Sequence, residues 1–169
     1  MNCITLIGMP ACGKSTVGVI LAKTLGKNFV DADIRIQEHE GKLLQEIIDD
    51  HGISYFKEVE EKILTGLKLE NCVIATGGSA IYYDAAMSNL SKLGVVIYIK
   101  LSFETIKSRL DNIQTRGVIL EKGQTLKDLY DQRTPLYEKY ADIIIDGETK
   151  NPEEVIAKIL ENKMRDERK

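Results

Sequence analysis

Residues 8–16 read Gly-Met-Pro-Ala-Cys-Gly-Lys-Ser-Thr, a glycine, four variable residues and then Gly-Lys-Ser. Glycines at this spacing let the backbone turn tightly, so that successive N–H groups can point at phosphate oxygens. The lysine brings an ammonium group to the outer phosphates of a nucleotide, and the serine that follows offers its hydroxyl to Mg²⁺. The stretch is therefore predicted to be a P-loop.

The residues on either side of this loop predict a strand and a helix. Residues 3–7 are short, apolar and partly β-branched, which is typical of a buried strand. Apolar residues recur at helical spacing from Val17 to Leu25, and Gly26 can end that helix. The helix dipole would then face the phosphates. A glycine-rich turn that binds nothing is the alternative, but a strand before the loop and a helix after it favour phosphate binding.

Composition narrows the class of protein. The chain has 169 residues, a hydrophobic fraction of 43% and a charged fraction of 29%, which suit one globular domain spanning residues 1–169. A net charge of −3 gives no electrostatic reason to expect nucleic acid as the main partner, and no apolar run is long enough to span a bilayer. Three cysteines without metal-ligand spacing, and no leader before the first strand, predict a cytoplasmic protein. No long apolar stripe requires a partner, so a monomer is expected.

Strand and helix patterns alternate along the rest of the chain. Strands are predicted at 3–7, 28–31, 72–75, 94–99 and 142–145, with helices after the P-loop, near 33–49, 54–69, 83–92, 102–111 and 125–139, and from 151–152 onward. Short apolar strands separated by helices predict an α/β fold, a three-layer α/β/α arrangement around a five-stranded parallel sheet. Ligands bind beyond the carboxyl ends of such strands, which selects residues 8–15, 31–33 and 77–79.

Two carboxylates, Asp31 and Asp33, come at the predicted end of the second strand. Side chains alternate between the faces of a strand, so both acids are expected on the same face. Two acids beside a P-loop suit contacts to Mg²⁺ and its waters and the activation of a hydroxyl group. The alternative is a helix N-cap followed by one solvated acid.

Taken in order, these motifs resemble the shikimate kinases, small P-loop kinases of the nucleoside-monophosphate-kinase-like group. The resemblance covers nearly the whole chain. It rests on the P-loop, on Asp-Ala-Asp at 31–33, on Tyr-Phe-Lys-Glu-Val-Glu at 55–60, on Ala-Thr-Gly-Gly-Ser-Ala at 75–80, on Arg116 and on Arg-Thr-Pro-Leu-Tyr at 133–137. A P-loop is common to many families, whereas the ordered set is far more specific.

The resemblance implies ATP and Mg²⁺ as co-substrate and cofactor, and catalytic roles for Lys14, Asp33 and Arg116. Asp33 would orient or deprotonate the acceptor hydroxyl, and Arg116 would lie on a mobile lid at about 111–123 that closes over the phosphates. The implied ATP-binding residues are Gly8, Ala11, Cys12, Gly13, Lys14, Ser15, Thr16, Arg109 and Arg116, with Arg109 against the adenine. The implied acceptor-binding residues are Asp33, Lys57, Gly77, Gly78, Ser79 and Arg133, with helices at about 33–69 around the acceptor, and the implied metal-binding residues are Ser15 and Asp31.

The chain departs from the family pattern at three positions that bear on the acceptor or the lid, and at a fourth, Gln37, that bears on neither. Lys57 stands where the family has an arginine, which keeps the charge but loses the planar pair of donors. Ser79 replaces the third of three consecutive glycines, so its side chain could narrow the pocket or add a hydroxyl contact. Gly117 follows Arg116 in place of a proline, which raises the entropy cost of ordering the lid. Gln37 replaces an acid that commonly follows Asp-x-Asp.

Three functions stay open at this point. The first is ATP-dependent phosphorylation of a small polyhydroxy acid, with shikimate as the leading acceptor and shikimate 3-phosphate, on the way to chorismate and the aromatic amino acids, as the product. The second is a related kinase with another polyol or sugar acid as acceptor, suggested by Lys57 and Ser79. The third is a nucleotide-binding regulator without transfer activity. Lys57 also has a plain interpretation, since it lies among Glu58, Glu60, Glu61 and Lys62 on a helix whose charged face could simply be solvated.

Overall fold

The computed structural model describes residues 2–111, 120–149 and 151–166, with the backbone alone for 163–166. The strands are β1 (Cys3–Ile7), β2 (Asn28–Asp31), β3 (Cys72–Ala75), β4 (Gly94–Lys100) and β5 (Ile143–Asp146). The helices are α1 (Lys14–Leu25), α2 (Ala32–Glu40), α3 (Leu44–Gly66), α4 (Asp84–Leu93), α5 (Phe103–Asp111), α6 (Leu126–Tyr140) and α7 (Pro152–Asp166), with a short 3₁₀ turn at Ala80–Tyr82.

The five strands form one parallel sheet in the order β2-β3-β1-β4-β5. The chain moves from β1 outward to β2 in one direction and from β3 across β1 to β4 in the other. Because such crossovers are right-handed, α1 and α4 lie on opposite faces of the sheet. Helix α7 packs against α1, and α3 packs against α4. The predicted three-layer fold with a five-stranded parallel sheet is confirmed.

The core is built on the apolar strands. Every residue of β1 and of β3 is buried, as expected for central strands covered by helices on both faces. A second, smaller apolar cluster joins α2 to α3 and consists of Ile36, Ile47, Phe56 and Val59. This cluster fixes the two helices as a wall beside the sheet, at the end where β1, β2 and β3 finish.

The boundaries of these two helices differ from the prediction of helices at 33–49 and 54–69. The structure has an additional, earlier break, where Gly41 ends α2 with a φ of 66° and its N–H bonded to the Gln37 carbonyl oxygen. The predicted break between residues 49 and 54 is present as a kink at Gly52, whose non-helical φ of 84° and ψ of 168° separate two helical segments of α3. Apolar periodicity continues across Gly41, so the pattern alone did not locate the earlier break.

The second aspartate of the Asp-x-Asp motif also belongs to a different element from the predicted one. Strand β2 ends at Asp31 and α2 begins at Ala32, so Asp33 is in the first turn of a helix rather than on a strand. The argument from alternating strand faces was therefore wrong, although both carboxylates still line the same cavity.

Most of the predicted lid lies outside the described residues, since 112–119 are not among them. The start of α6, shortly after the lid, is fixed by a capping box. In it the hydroxyl of Thr125 accepts from the Asp128 N–H at 3.1 Å, and the Asp128 carboxylate accepts from the Thr125 N–H at 2.9 Å. Among the helices that the structure describes, none is long and apolar enough to cross a membrane.

Candidate functional site

A cavity of about 400 Å³ opens at the carboxyl ends of β1, β2 and β3, where the topology of a parallel sheet places ligand sites. It is bounded by the P-loop, α2, α3 and α6. Ten of the residues predicted from the sequence line it, namely Ala11, Gly13, Lys14, Ser15, Asp31, Asp33, Gly77, Gly78, Ser79 and Arg133.

The P-loop backbone has the shape of an anion-binding concavity. Ala11 and Gly13 have positive φ angles of 62° and 98°, and α1 begins directly after them. Gly8 is required for packing, because a Cβ there would lie 2.8 Å from the Ile99 carbonyl oxygen and 2.9 Å from Cys12 Sγ. Amide groups at the start of α1 therefore face the cavity together with the positive end of the helix dipole.

The side chain of Lys14 is buried inside this loop. Its ammonium donates to the carbonyl oxygens of Gly8 and Met9, both at 2.9 Å, and lies 3.7 Å from Cys12 Sγ. Lys14 is 8% exposed and lines the cavity, so its ammonium charge is held within the protein rather than in bulk solvent. A phosphate in the concavity would meet this charge at short range.

A hydrogen bond joins Ser15 to Asp31 on the lining of the cavity, and their hydroxyl and carboxylate oxygens are ligands that fit Mg²⁺. The Ser15 hydroxyl donates to Asp31 Oδ2 at 2.8 Å, and Asp31 Oδ1 caps α2 by accepting from the Asp33 N–H at 3.0 Å. The cap predicted as the alternative role of Asp31 is thus present alongside the contact to the P-loop. Mg²⁺ is bound by one or two protein oxygens together with phosphates and water, and this pair of side chains offers such oxygens. Among the described residues, no group of three or more His, Cys, Asp or Glu side chains that could hold a metal ion occurs.

Asp33 projects from the first turn of α2 toward the glycines that follow β3. A Cβ on Gly77 would lie 3.2 Å from Asp33 Oδ1 and 2.6 Å from Glu60 Oε1. The glycine therefore leaves room for two carboxyl groups to approach the same stretch of backbone. Asp33, the predicted general base, therefore lies on the wall of the cavity beside Gly77.

Glu60 is a cavity residue that the sequence analysis did not select. It is 1% exposed, and its Oε2 accepts hydrogen bonds from Ser79 Oγ at 2.7 Å and from the Tyr83 hydroxyl at 2.9 Å. Its Oε1 has no hydrogen-bond partner among the described residues. Burial, reinforced by the negative charge of Asp33, raises the pKa of Glu60 above its ordinary value.

A signal for Glu60 was present in the sequence, although it is faint. Glu60 lies four residues after Phe56 and four before Leu64, both of which are buried, so helical spacing puts it on the inner face of α3. Its neighbours Glu58, Glu61 and Lys62 made the whole stretch look like a solvated surface.

Ser79, the residue in place of a third glycine, uses its hydroxyl to hold Glu60 rather than facing the cavity with a free donor. Of the two possibilities left open for this position, the hydroxyl contact therefore goes to a protein carboxyl group. The serine side chain thereby helps to fix Glu60 in the lining of the cavity.

Arg133, on α6, brings a second positive charge into the cavity. It is 6% exposed, and a Cβ on Gly78 would lie 2.8 Å from its Nη1. Tyr137, one turn further along α6, donates to the Gly78 carbonyl oxygen at 2.6 Å. The glycine therefore allows the guanidinium to lie directly against the backbone after β3.

Lys57 is not among the residues that line the 400 Å³ cavity. Its ammonium lies 3.6 Å from Glu121 Oε1, and both side chains are well exposed, at 44% and 75%. Lys57 and Arg133 instead share a neighbouring cavity of about 220 Å³. A direct contact of Lys57 with the acceptor stays a prediction.

Arg109 and Thr16 lie in a third cavity, of about 290 Å³, on the other side of the P-loop. The Arg109 guanidinium donates to the carbonyl oxygens of Ala11 at 3.3 Å and Thr149 at 3.2 Å. Gly13 lines both this cavity and the large one, so a nucleotide held by the loop could reach into each. Arg116, the predicted lid arginine, lies outside the described residues.

Comparison with known proteins connects this arrangement to one family. The family model described as Shikimate kinase matches residues 10–163. A shikimate kinase from Thermodesulfovibrio yellowstonii is 39% identical over 165 residues, covering 95% of this chain and 94% of the relative.

Solved structures agree with the sequence matches. The shikimate kinase from Aquifex aeolicus is 34% identical with a TM-score of 0.82, covering 94% of each chain. A shikimate kinase from Acinetobacter baumannii in complex with shikimate is 30% identical with a TM-score of 0.86, covering 100% of this chain and 96% of that one. Since the family model matches residues 10–163 and relatives of 30–39% identity cover nearly the whole chain, the chain belongs to the shikimate kinase family.

Proposed function

We propose that this protein transfers the terminal phosphoryl group of ATP to a ring hydroxyl of shikimate, giving shikimate 3-phosphate. The observation that carries the proposal is the 400 Å³ cavity, which Lys14 of the P-loop, Asp33 and Arg133 line together. This arrangement offers one place for a phosphate, one for a hydroxyl and one for a carboxylate.

On the nucleotide side, the P-loop amides and Lys14 bind the phosphates. The adjoining cavity that holds Arg109 and Thr16 has the position expected for the rest of the nucleotide. Ser15 and Asp31 would hold Mg²⁺, and the charge of the ion would neutralise the phosphate oxygens.

On the acceptor side, Asp33 accepts a hydrogen bond from the reacting hydroxyl and takes its proton as the phosphoryl group arrives. Arg133 binds the acceptor carboxylate, because a guanidinium presents paired donors that match two carboxylate oxygens. Phosphoryl transfer needs positioning and charge neutralisation more than covalent chemistry, and these residues supply both. Arg116, which lies outside the described residues, is assigned the role of completing the neutralisation of charge on the phosphates.

The direct test is steady-state turnover, followed as ADP release in a coupled assay with shikimate and MgATP. Saturable, shikimate-dependent ADP release with formation of a phosphorylated shikimate supports the proposal. ADP release that does not respond to shikimate would reject it.

A second candidate, a kinase for another hydroxy acid or polyol, is favoured by one observation. Lys57, which replaces an arginine of the family, is paired with Glu121 outside the main cavity. Calorimetry across a panel of shikimate, other ring hydroxy acids and sugar acids, in the presence of ADP and Mg²⁺, separates the two candidates. The Lys57→Arg variant adds a check, since a guanidinium should tighten the binding of a carboxylate acceptor or leave it unchanged.

A cytoplasmic location, a monomeric state and the absence of a nucleic-acid partner stay predictions of the sequence. Sedimentation of the purified protein with and without MgATP measures the oligomeric state directly.

A further inference from the structure

Tyr82 contacts the guanidinium group of Arg133 in two ways. It ends the 3₁₀ turn that follows the two glycines after β3. The Arg133 Nε–H donates to the Tyr82 hydroxyl oxygen at 3.2 Å, and the guanidinium carbon lies 5.3 Å from the centre of the Tyr82 ring. Both contacts act on the charged group itself, since the ring face attracts a cation electrostatically.

The hydroxyl of Tyr82 is itself held in one orientation. It donates to Gln132 Oε1 at 3.1 Å, and Gln132 Oε1 also accepts from Gln124 Nε2 at 3.1 Å. Because the tyrosine proton is committed to Gln132, a lone pair of the hydroxyl oxygen is left for Arg133. Tyr82 thus acts as a fixed acceptor for one chosen N–H of the guanidinium.

This contact selects which edge of the guanidinium is available to a ligand. A carboxylate can bind side-on to Nε and one terminal nitrogen, or end-on to Nη1 and Nη2. With Nε engaged by Tyr82, the end-on edge is the one left for the cavity that Arg133 lines.

The need for such a fixed arginine comes from the position of Lys57. Lys57 is paired with Glu121 and does not line the 400 Å³ cavity. Two basic residues among the described ones line that cavity, Lys14 in the P-loop and Arg133, so Arg133 is the one available to an acceptor carboxylate. We infer that Tyr82 is a positioning residue for the acceptor carboxylate, which fixes Arg133 so that its end-on edge binds that carboxylate. The inference rests on the proposed function, because it requires an acceptor that carries a carboxylate.

The test compares two acceptors that differ in charge at one place: shikimate and its methyl ester. Tyr82→Phe removes the hydroxyl oxygen and keeps the ring, and Tyr82 is already 37% exposed, so the variant should fold. Tyr140→Phe is the matched control, because its hydroxyl donates to the Asp84 carboxylate outside the site. Both variants and the wild type are assayed for kcat and KM with each acceptor and with ATP.

The wild type should prefer shikimate to the ester. In Tyr82→Phe, kcat/KM for shikimate should fall about tenfold, mostly through a higher KM, as expected for the loss of a hydrogen bond to a charged group. Turnover of the ester and the KM for ATP should change less than about twofold, so that the preference for shikimate shrinks. Tyr140→Phe should match the wild type.

A tyrosine that only stabilised the turn against α6 would lower activity with both acceptors equally. An unchanged ratio of kcat/KM between shikimate and ester in Tyr82→Phe therefore overturns the inference and leaves the proposed function intact. Wild-type protein that does not discriminate between the acceptors also overturns it. Wild-type protein without any turnover of shikimate rejects the proposed function and the inference together.

Discussion

Replacing Gly77 by alanine tests whether the two carboxyl groups beside it are as tightly fixed as the structure indicates. The added methyl carbon would lie 2.6 Å from Glu60 Oε1 and 3.2 Å from Asp33 Oδ1. Carbon and oxygen atoms usually approach to about 3.3–3.6 Å, so Glu60 Oε1 would have to move by roughly 0.7–1 Å. Glu60 cannot swing into solvent, because it is 1% exposed and its other oxygen is bound by Ser79 and Tyr83.

The expected cost is that of overpacking a buried site, about 1–3 kcal/mol in the free energy of unfolding. For a chain of this length that corresponds to a fall in Tm of about 2–12 °C, measured by calorimetry or circular dichroism. The KM for the acceptor should rise, since the methyl group enters the acceptor side of the cavity, whereas the KM for ATP should stay close to that of the wild type.

Gly66→Ala is the matched control, because a Cβ at Gly66 meets nothing within 4 Å. The same substitution in the last turn of a helix should leave the free energy of unfolding unchanged or raise it by up to about 1 kcal/mol. Equal Tm values for Gly77→Ala and Gly66→Ala, with an unchanged KM for the acceptor, would refute the reasoning. Such a result would mean that Glu60 yields without cost.

Three further outcomes are expected. Lys14→Ala should lower kcat by at least about 100-fold, because a preorganised positive charge at the phosphates is lost. Steady-state assays of ADP release measure this, and a kcat within a few-fold of the wild-type value would contradict it. Asp33→Asn should lower kcat by about 100-fold or more, while the Kd for ATP, measured by calorimetry, should change little. An unchanged kcat would show that Asp33 is not the general base. Burial raises the folded-state pKa of Glu60 above its ordinary value of 4.5, so its contribution to stability is present below that pH and is lost as pH rises through the raised pKa. Glu60→Gln should therefore reduce the fall in Tm with rising pH above 4.5, and parallel Tm profiles for variant and wild type would contradict this assignment.

The features that the sequence determined are those built from consecutive residues. The P-loop is one turn of backbone between a strand and a helix, so its glycines, Lys14 and Ser15 identify it without any distant contact. The five strands were predicted at nearly their observed positions, because buried parallel strands are short apolar runs bounded by glycine and polar residues. Residues 77–79 were selected because they follow a predicted parallel strand, whereas Arg133 came from the resemblance to a family. Gly77, Gly78 and Arg133 line the same cavity as the P-loop.

The tertiary structure alone decided the partners of the charged side chains and the ends of α2 and α3. Lys57 and Glu60 are three residues apart on one helix, yet one reaches out to Glu121 and the other is buried under Ser79 and Tyr83. Periodicity reports which face of a helix is apolar, but it does not report what lies opposite that face. The end of α2 at Gly41 depends on a left-handed cap, whose formation is set by packing against α3 as well as by the residue itself. Local sequence fixes backbone shape within a few residues, whereas the pairing of charges depends on segments that only the fold brings together.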